Sequence, residues 1–118
     1  MEKRDAEIPF MASRFYSERG GNVTKFDTDG KHLYIDGKKV LRAWESFSGW
    51  YWFATEKANE QMSDLGDGKP VKDTIYFGLV QGFEEEWGYF SQAEIESLKP
   101  KTWEIPKKNL PYAGRRGA

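Results

Sequence analysis

Apolar and polar positions alternate over short stretches parted by glycine-rich turns, a period that belongs to strands rather than helices. The sharpest case is His32-Leu33-Tyr34-Ile35, then Asp36-Gly37, then Lys38-Lys39-Val40-Leu41-Arg42-Ala43. Asp-Gly suits the two positive φ angles of a type I′ turn, so this segment predicts a two-residue hairpin. In that register Leu33 faces Val40 and Tyr34 faces Lys39, and the first pair makes a core contact. Next, Gly49-Trp50-Tyr51-Trp52-Phe53-Ala54-Thr55 sets four rings in a row. Side chains alternate across a strand, so Trp50 and Trp52 share one face and Tyr51 and Phe53 the other. Both faces are apolar, which predicts a central strand covered on each side. Residues 74–80 predict another strand, closed at Gly82. Glu84-Glu85-Glu86 falls in the turn that follows, and residues 87–90 form the hairpin partner. Weaker strands are expected over 10–16 and 23–26. A final edge strand is expected over 101–105, because Pro106 and Pro111 stop it from continuing.

One helix is predicted. Ser91-Gln92-Ala93-Glu94 matches a capping box, with Ser91 as N-cap and Glu94 three residues on. Ile95 and Leu98 give the segment one apolar face, and Pro100 ends it, so the helix lies near 92–98. Residues 56–73 are polar and end in Gly66-Asp67-Gly68-Lys69-Pro70, which predicts a long loop with at most one helical turn over 57–62. Residues 1–9 and 113–118 are expected to be disordered. The sum is an α+β fold: a mostly antiparallel sheet of five to six strands, strongly twisted or partly closed, with one short helix. At 118 residues the chain is long enough for one core and too short for two ordinary domains, so residues 1–118 are expected to form a single domain.

Composition narrows the chemistry. Cysteine is absent, which removes a disulfide framework, a thiol nucleophile and any Cys-ligated metal. No apolar run approaches the ~20 residues that span a bilayer. The N-terminus, Met1-Glu2-Lys3-Arg4-Asp5-Ala6-Glu7, is charged and unlike a secretory signal, so a cytoplasmic protein with no membrane partner is expected. Net charge is -1, unevenly spread: +2 over residues 1–42, -8 over 43–98 and +5 over 99–118. A basic tail on an acidic body can bind an anionic partner, dock on its own body or stay solvated.

Part of the chain resembles a known family. Trp50-x-Trp52, Phe77-Gly78-Leu79-Val80, Gly82, Glu86 and Gly88-Tyr89-Phe90-Ser91 follow in an order similar to that of a domain-of-unknown-function family. Its members are small proteins carried by plasmids, conjugative elements and phages. The likeness covers about residues 44–98. Gln92 and Ile95 stand where the family commonly has Leu. The resemblance implies an accessory protein of a mobile genetic element and supplies no activity.

The residues that bear chemistry form no catalytic set. His32 is the sole histidine, with no evident serine or acid partner in sequence. Asp27-Thr28-Asp29-Gly30 resembles half a calcium loop, but Lys31 stands where a third acid would fall, so a turn is expected and no metal or cofactor. Asp64, Asp67 and Asp73 are irregularly spaced and interrupted by Lys69 and Lys72. Gly78, Gly82 and Gly88 lack the Gly-Lys-Ser/Thr of a phosphate loop. Of the three consecutive glutamates, Glu86 is the one to watch, since it adjoins Trp87 and could pair with Arg42.

The rings decide the functional expectation. Packing on both sheet faces absorbs many of them, and an exposed subset would make a platform for a partner. Candidate binding residues are Trp50, Trp52, Glu86, Trp87, Tyr89 and Arg42. Phosphate is repelled by the acidic middle of the chain, which favours a protein partner over nucleic acid. The expectation is a non-enzymatic binding protein that engages a host or element-encoded protein. One alternative is a single-stranded nucleic-acid binder using sheet aromatics with Arg14, Arg19, Lys38, Lys39, Arg115 and Arg116. Another is a small metal-dependent hydrolase around Glu86. An unpaired edge strand would also allow a homodimer.

Overall fold

The computed structural model describes residues 24–113. Within them lie eight strands in two antiparallel sheets. The smaller sheet is a meander of β1 (Phe26–Thr28), β2 (Leu33–Ile35) and β3 (Lys38–Lys39). The larger comprises β4 (Arg42–Ser46), β5 (Tyr51–Ser63), β6 (Val71–Gln81), β7 (Glu85–Ser91) and β8 (Thr102–Glu104), in the order β7-β6-β5-β4-β8. Helix α1 (Gln92–Glu96) joins β7 to β8, and a 3₁₀ helix (Lys107–Tyr112) follows.

The hairpin between β2 and β3 forms as its sequence predicts. Asp36 and Gly37 have φ of 52° and 82°, the pair of left-handed residues that an Asp-Gly turn supplies. Tyr34 lies opposite Lys39, and the Val40 N–H donates to the Leu33 carbonyl at 2.9 Å. The Ser91 half of the capping box forms too: the Ser91 hydroxyl accepts from the Glu94 N–H at 3.0 Å.

The alternation in β5 divides the core. On one face of the large sheet Trp44, Trp52, Ala54, Tyr76, Val80 and Phe90 pack under α1 through Ile95. On the other face Tyr51, Phe53 and Leu79 meet Leu33 and Ile35 of the small sheet, Val40 just after it and Leu110 of the 3₁₀ helix. Trp44, Phe53 and Phe90 are wholly buried, each contributing roughly 1.5–3 kcal/mol by removal from water. Within the large sheet the β5 backbone passes close against Gly78 of β6. A Cβ there would lie 1.8 Å from the Phe53 carbonyl oxygen, so no other residue fits without moving the β5 backbone.

Three expectations change. The strands form two sheets, not one of five or six, and the large sheet is open, with β7 and β8 at its edges. Val40 and Leu41 alone carry the chain from one sheet into the other. The expected loop over 56–73, with its helical turn at 57–62, is a long β-hairpin. β5 and β6 stay paired from Glu56 opposite Phe77 to Ser63 opposite Val71, with register shifts at Ala54/Glu56 and Lys57/Asn59. Their outer half is exposed and polar, so it carries no apolar period for a sequence reading to find. Backbone pairing and a tight tip hold it instead. The Asp64 carboxylate accepts from the N–H groups of Gly66 at 2.8 Å and Gly68 at 3.0 Å, and both glycines have positive φ. Lastly, Glu85 and Glu86 belong to β7, so only Glu84 of the three glutamates remains in the turn. The expected strand over 10–16 lies outside the described residues, as does the expected disorder at 1–9 and 113–118 except for Ala113, which packs against the second core face.

Candidate functional site

Antiparallel order brings two turns to one end of the large sheet. The β4–β5 turn (residues 47–50) and the β6–β7 turn (residues 82–84) are neighbours because Tyr51 pairs with both Glu45 and Gln81. Each turn carries a phenylalanine that no strand face can bury. Phe83 is 93% exposed and Phe47 72%. Isolated exposed apolar residues are common, but two large rings on adjacent turns, beside a half-buried tryptophan, form a patch.

Trp50 anchors this patch. Its N–H donates to the Ser46 hydroxyl at 3.1 Å, its carbonyl accepts from the Ser46 N–H at 2.9 Å, and Gly49 turns the chain with φ of 94°. The indole stacks against Trp52 at 6.1 Å and lies across Gly82, where a Cβ would fall 1.8 Å from its Cζ3. Phe83 meets the same indole edge to face at 5.1 Å and 79°. The bare backbone of Gly82 thus admits the Trp50 ring, and the ring in turn props Phe83 outward. The indole N–H of Trp52 beneath is buried and has no hydrogen-bond acceptor among the described residues.

Acidic residues border the rings. Val80 pairs with Trp52 on one side and with Glu86 on the other, so Glu86 stands on the face that bears Trp50 and Trp52. It is half-buried, and no hydrogen bond or ion pair ties its carboxylate to another described residue. Glu84 and Glu85 flank it in sequence, and the Glu45 carboxylate accepts from the Tyr51 hydroxyl at 3.1 Å. Lys101, whose carbonyl accepts from the Phe47 N–H, is the cation that the adjoining β8 segment brings to this end.

The other predicted residues divide between places. Trp50, Trp52 and Glu86 share one face. Trp87 and Tyr89 lie on the opposite face, gathered by Phe77, which stacks on Trp87 at 6.0 Å and meets Tyr89 at 5.1 Å. Lys38 sits 5.5 Å over the Trp87 ring, while Lys39 is exposed on the same short strand. Arg42 does not reach Glu86, because β5 and β6 stand between their strands. It pairs with Glu104 through two bonds, at 2.8 and 2.7 Å, and also reaches the Tyr76 hydroxyl and Gln92. The Glu104 pair raises the guanidinium's hold on its proton above the ordinary value. Arg42 and Glu104 therefore fasten β4 to β8. Arg14, Arg19, Arg115 and Arg116 lie outside the described residues.

Among the described residues no three His, Asp or Glu side chains group as metal ligands. Asp29 caps a turn: it accepts from the N–H groups of Lys31 and His32, which holds its carboxyl well below the ordinary range, and its other oxygen meets His32 at 3.3 Å. A cleft of about 870 Å³ opens between the β5–β6 arm and α1. Its deepest acid, Asp73, accepts from Ser63, Ser91 and the Ala93 N–H. Glu96 on its rim accepts from the Trp44 indole and from Gln92. These carboxylates are engaged in holding the arm and helix in place.

Phe47 and Phe83 escape a reading that searches strands for platforms. The available signal was an aromatic residue inside a turn, Ser46-Phe47-Ser48-Gly49 and Gly82-Phe83-Glu84, where neither sheet face can cover it. No family model, no curated protein and no solved structure matches the chain. The likeness noted over residues 44–98 therefore rests on its motifs alone.

Proposed function

We propose that this chain is a non-enzymatic binding protein that engages a protein partner through the aromatic end of its large sheet. The observation that carries this is Phe83: a phenylalanine 93% exposed, at a turn apex, braced by Trp50 across a glycine that leaves room for the ring. Tryptophan and other aromatic anchors on rigid elements are the usual centres of protein interfaces. Preorganisation lowers the entropy lost on docking, and hairpin turns pinned by Ser46 and Gly82 supply it. A role in a phage, virus or plasmid follows from the resemblance and belongs to the same proposal.

The opposite aromatic cluster suits a nucleic-acid strand less well. Bases stack on open ring faces, whereas Trp87 and Phe77 stack on one another and Lys38 covers Trp87. The net charge of -8 over residues 43–98 adds repulsion of phosphate.

Photo-crosslinking tests the proposal. A benzoylphenylalanine replacing Phe83 or Phe47, in cells that make the partner, should give a discrete adduct that excess untagged protein competes away. The same group replacing Tyr89 or Trp103, both 39% exposed on other surfaces, should give none. Equal labelling at all four positions, or none at 83 and 47, would overturn it. Phe83→Ser should leave the unfolding free energy unchanged within about 0.5 kcal/mol, since the side chain is in water, while abolishing the adduct at position 47.

A further inference from the structure

The site's chemistry narrows the partner. A purely apolar surface seated on Phe83 and Trp50 would also cover Glu86, which shares their face and is already half-buried. Covering a carboxylate without a counter-charge is costly, because the ion loses its water and gains nothing in return. The partner must therefore bring a cation or leave Glu86 wet, and the layout favours the cation. Neighbouring strands lie about 4.8 Å apart, and the Trp50 ring already reaches from the β4–β5 turn to Gly82, just past the end of β6. The next strand across is β7, which carries Glu86. Glu86, level with Val80 and Trp52, thus stands one strand across and one row inward from the ring that lies over Gly82. Phe83 and Trp50 meet at 79°, and the exposed Phe83 offers an open π face. A flat cation can rest on such a face while its edge donates to a carboxylate, a geometry that guanidinium fits better than ammonium.

Resting on the protein-binding proposal above, we infer that the partner presents an arginine to this corner, its guanidinium packed on Phe83 and Trp50 and paired with Glu86. Glu84 and Glu85 add a negative field that draws a basic segment toward the site and suppresses acidic competitors. The chain would then compete for basic surfaces of the kind that proteins use to hold nucleic acid.

Two synthetic peptides test this directly: four Gly-Arg repeats, and the same peptide with citrulline, which keeps the shape and loses the charge. Binding to the full chain is followed by the indole N–H signals of the five tryptophans, assigned by single substitutions. The arginine peptide should move the Trp50 signal most and bind about fivefold more tightly than the citrulline peptide at low salt. Glu86→Gln should erase that ratio by weakening only the arginine peptide, and Phe83→Leu should reduce both. Preserved signal dispersion in each variant shows that it folds. Equal affinity for the two peptides, an unchanged ratio in Glu86→Gln, or shifts centred on Trp87 would each overturn the inference. If the crosslink from position 83 survives Glu86→Gln undiminished, the partner binds at the aromatic end without using this pair. If no crosslink forms at all, the broader proposal falls with it.

Discussion

β5 and β6 lead different lives at their two ends. Near the aromatic end they are flanked by β4 and β7, and Tyr51, Trp52, Phe53 and Ala54 are buried in succession. Past Ala54 and Ile75 those neighbours stop pairing, and the same two strands continue as a polar ribbon to Ser63 and Val71. One half is held by apolar packing, the other by backbone pairing, capped tips and a few polar ties. The change occurs at the two register shifts, Ala54/Glu56 and Lys57/Asn59. Such irregularities re-aim a strand, so the ribbon can leave the body without splitting the sheet. They also make its outer edge a poor template for adding another strand.

The sharpest way to break the contrast is at the junction. Gly78→Ala sets a methyl against the Phe53 carbonyl, where neither backbone can yield cheaply. We expect a loss of about 3 kcal/mol in a urea titration, with both core faces failing together. A smaller effect should isolate the ribbon. Asp73→Ala removes three hydrogen bonds that link Ser63, the helix cap Ser91 and the Ala93 N–H. Its expected cost is about 2 kcal/mol, with hydrogen exchange rising at Ala93, Glu94 and the outer ribbon before the buried rows respond. If the whole chain loosens at once, body and ribbon are a single cooperative unit.

The least effect should come from acid. Backbone N–H groups of Gly66 and Gly68 lower the affinity of the Asp64 carboxyl for protons, and those of Lys31 and His32 do the same for Asp29. A carboxyl whose folded value is depressed contributes order above its ordinary value of 3.8 and surrenders it only as pH falls through the lowered one. The ribbon tip should thus stay closed through the ordinary carboxylate range and loosen below it. Proton-exchange rates at Gly66 and Gly68, compared between wild type and Asp64→Asn, check this. A tip that opens above 3.8 would refute it.

What the sequence made legible follows the same division. Where burial sets the pattern, the residues speak for themselves: the Asp36-Gly37 turn, the two-sided alternation of Trp50 to Phe53, and the Ser91 cap all appear as their types require. The ribbon was illegible because its pairing is inherited from strands already in register, not from any apolar period of its own. The second sheet was hidden for a related reason. Nothing in Lys39-Val40-Leu41-Arg42 announces a change of sheet, since no glycine or proline breaks the run between β3 and β4. The candidate site was legible in part. Trp50 and Glu86 were found from ring spacing and charge, whereas Phe83 and Phe47 became visible only when their turns came to lie side by side. Arg42 takes Glu104 and not Glu86, because a strand pairing brings Glu104 to it across 62 positions.

The closing of the second core face has a consequence for synthesis. Leu33, Ile35 and Val40 are covered in part by Ile105 and Leu110, and Ile105 lies 70 positions after Ile35. A ribosome releases the hairpin long before it releases its lid. During that interval the nascent hairpin holds bare aliphatic side chains with nothing from the C-terminal side to shelter them. A chaperone that clasps short apolar stretches would find its opening there, and would lose it once Leu110 is delivered.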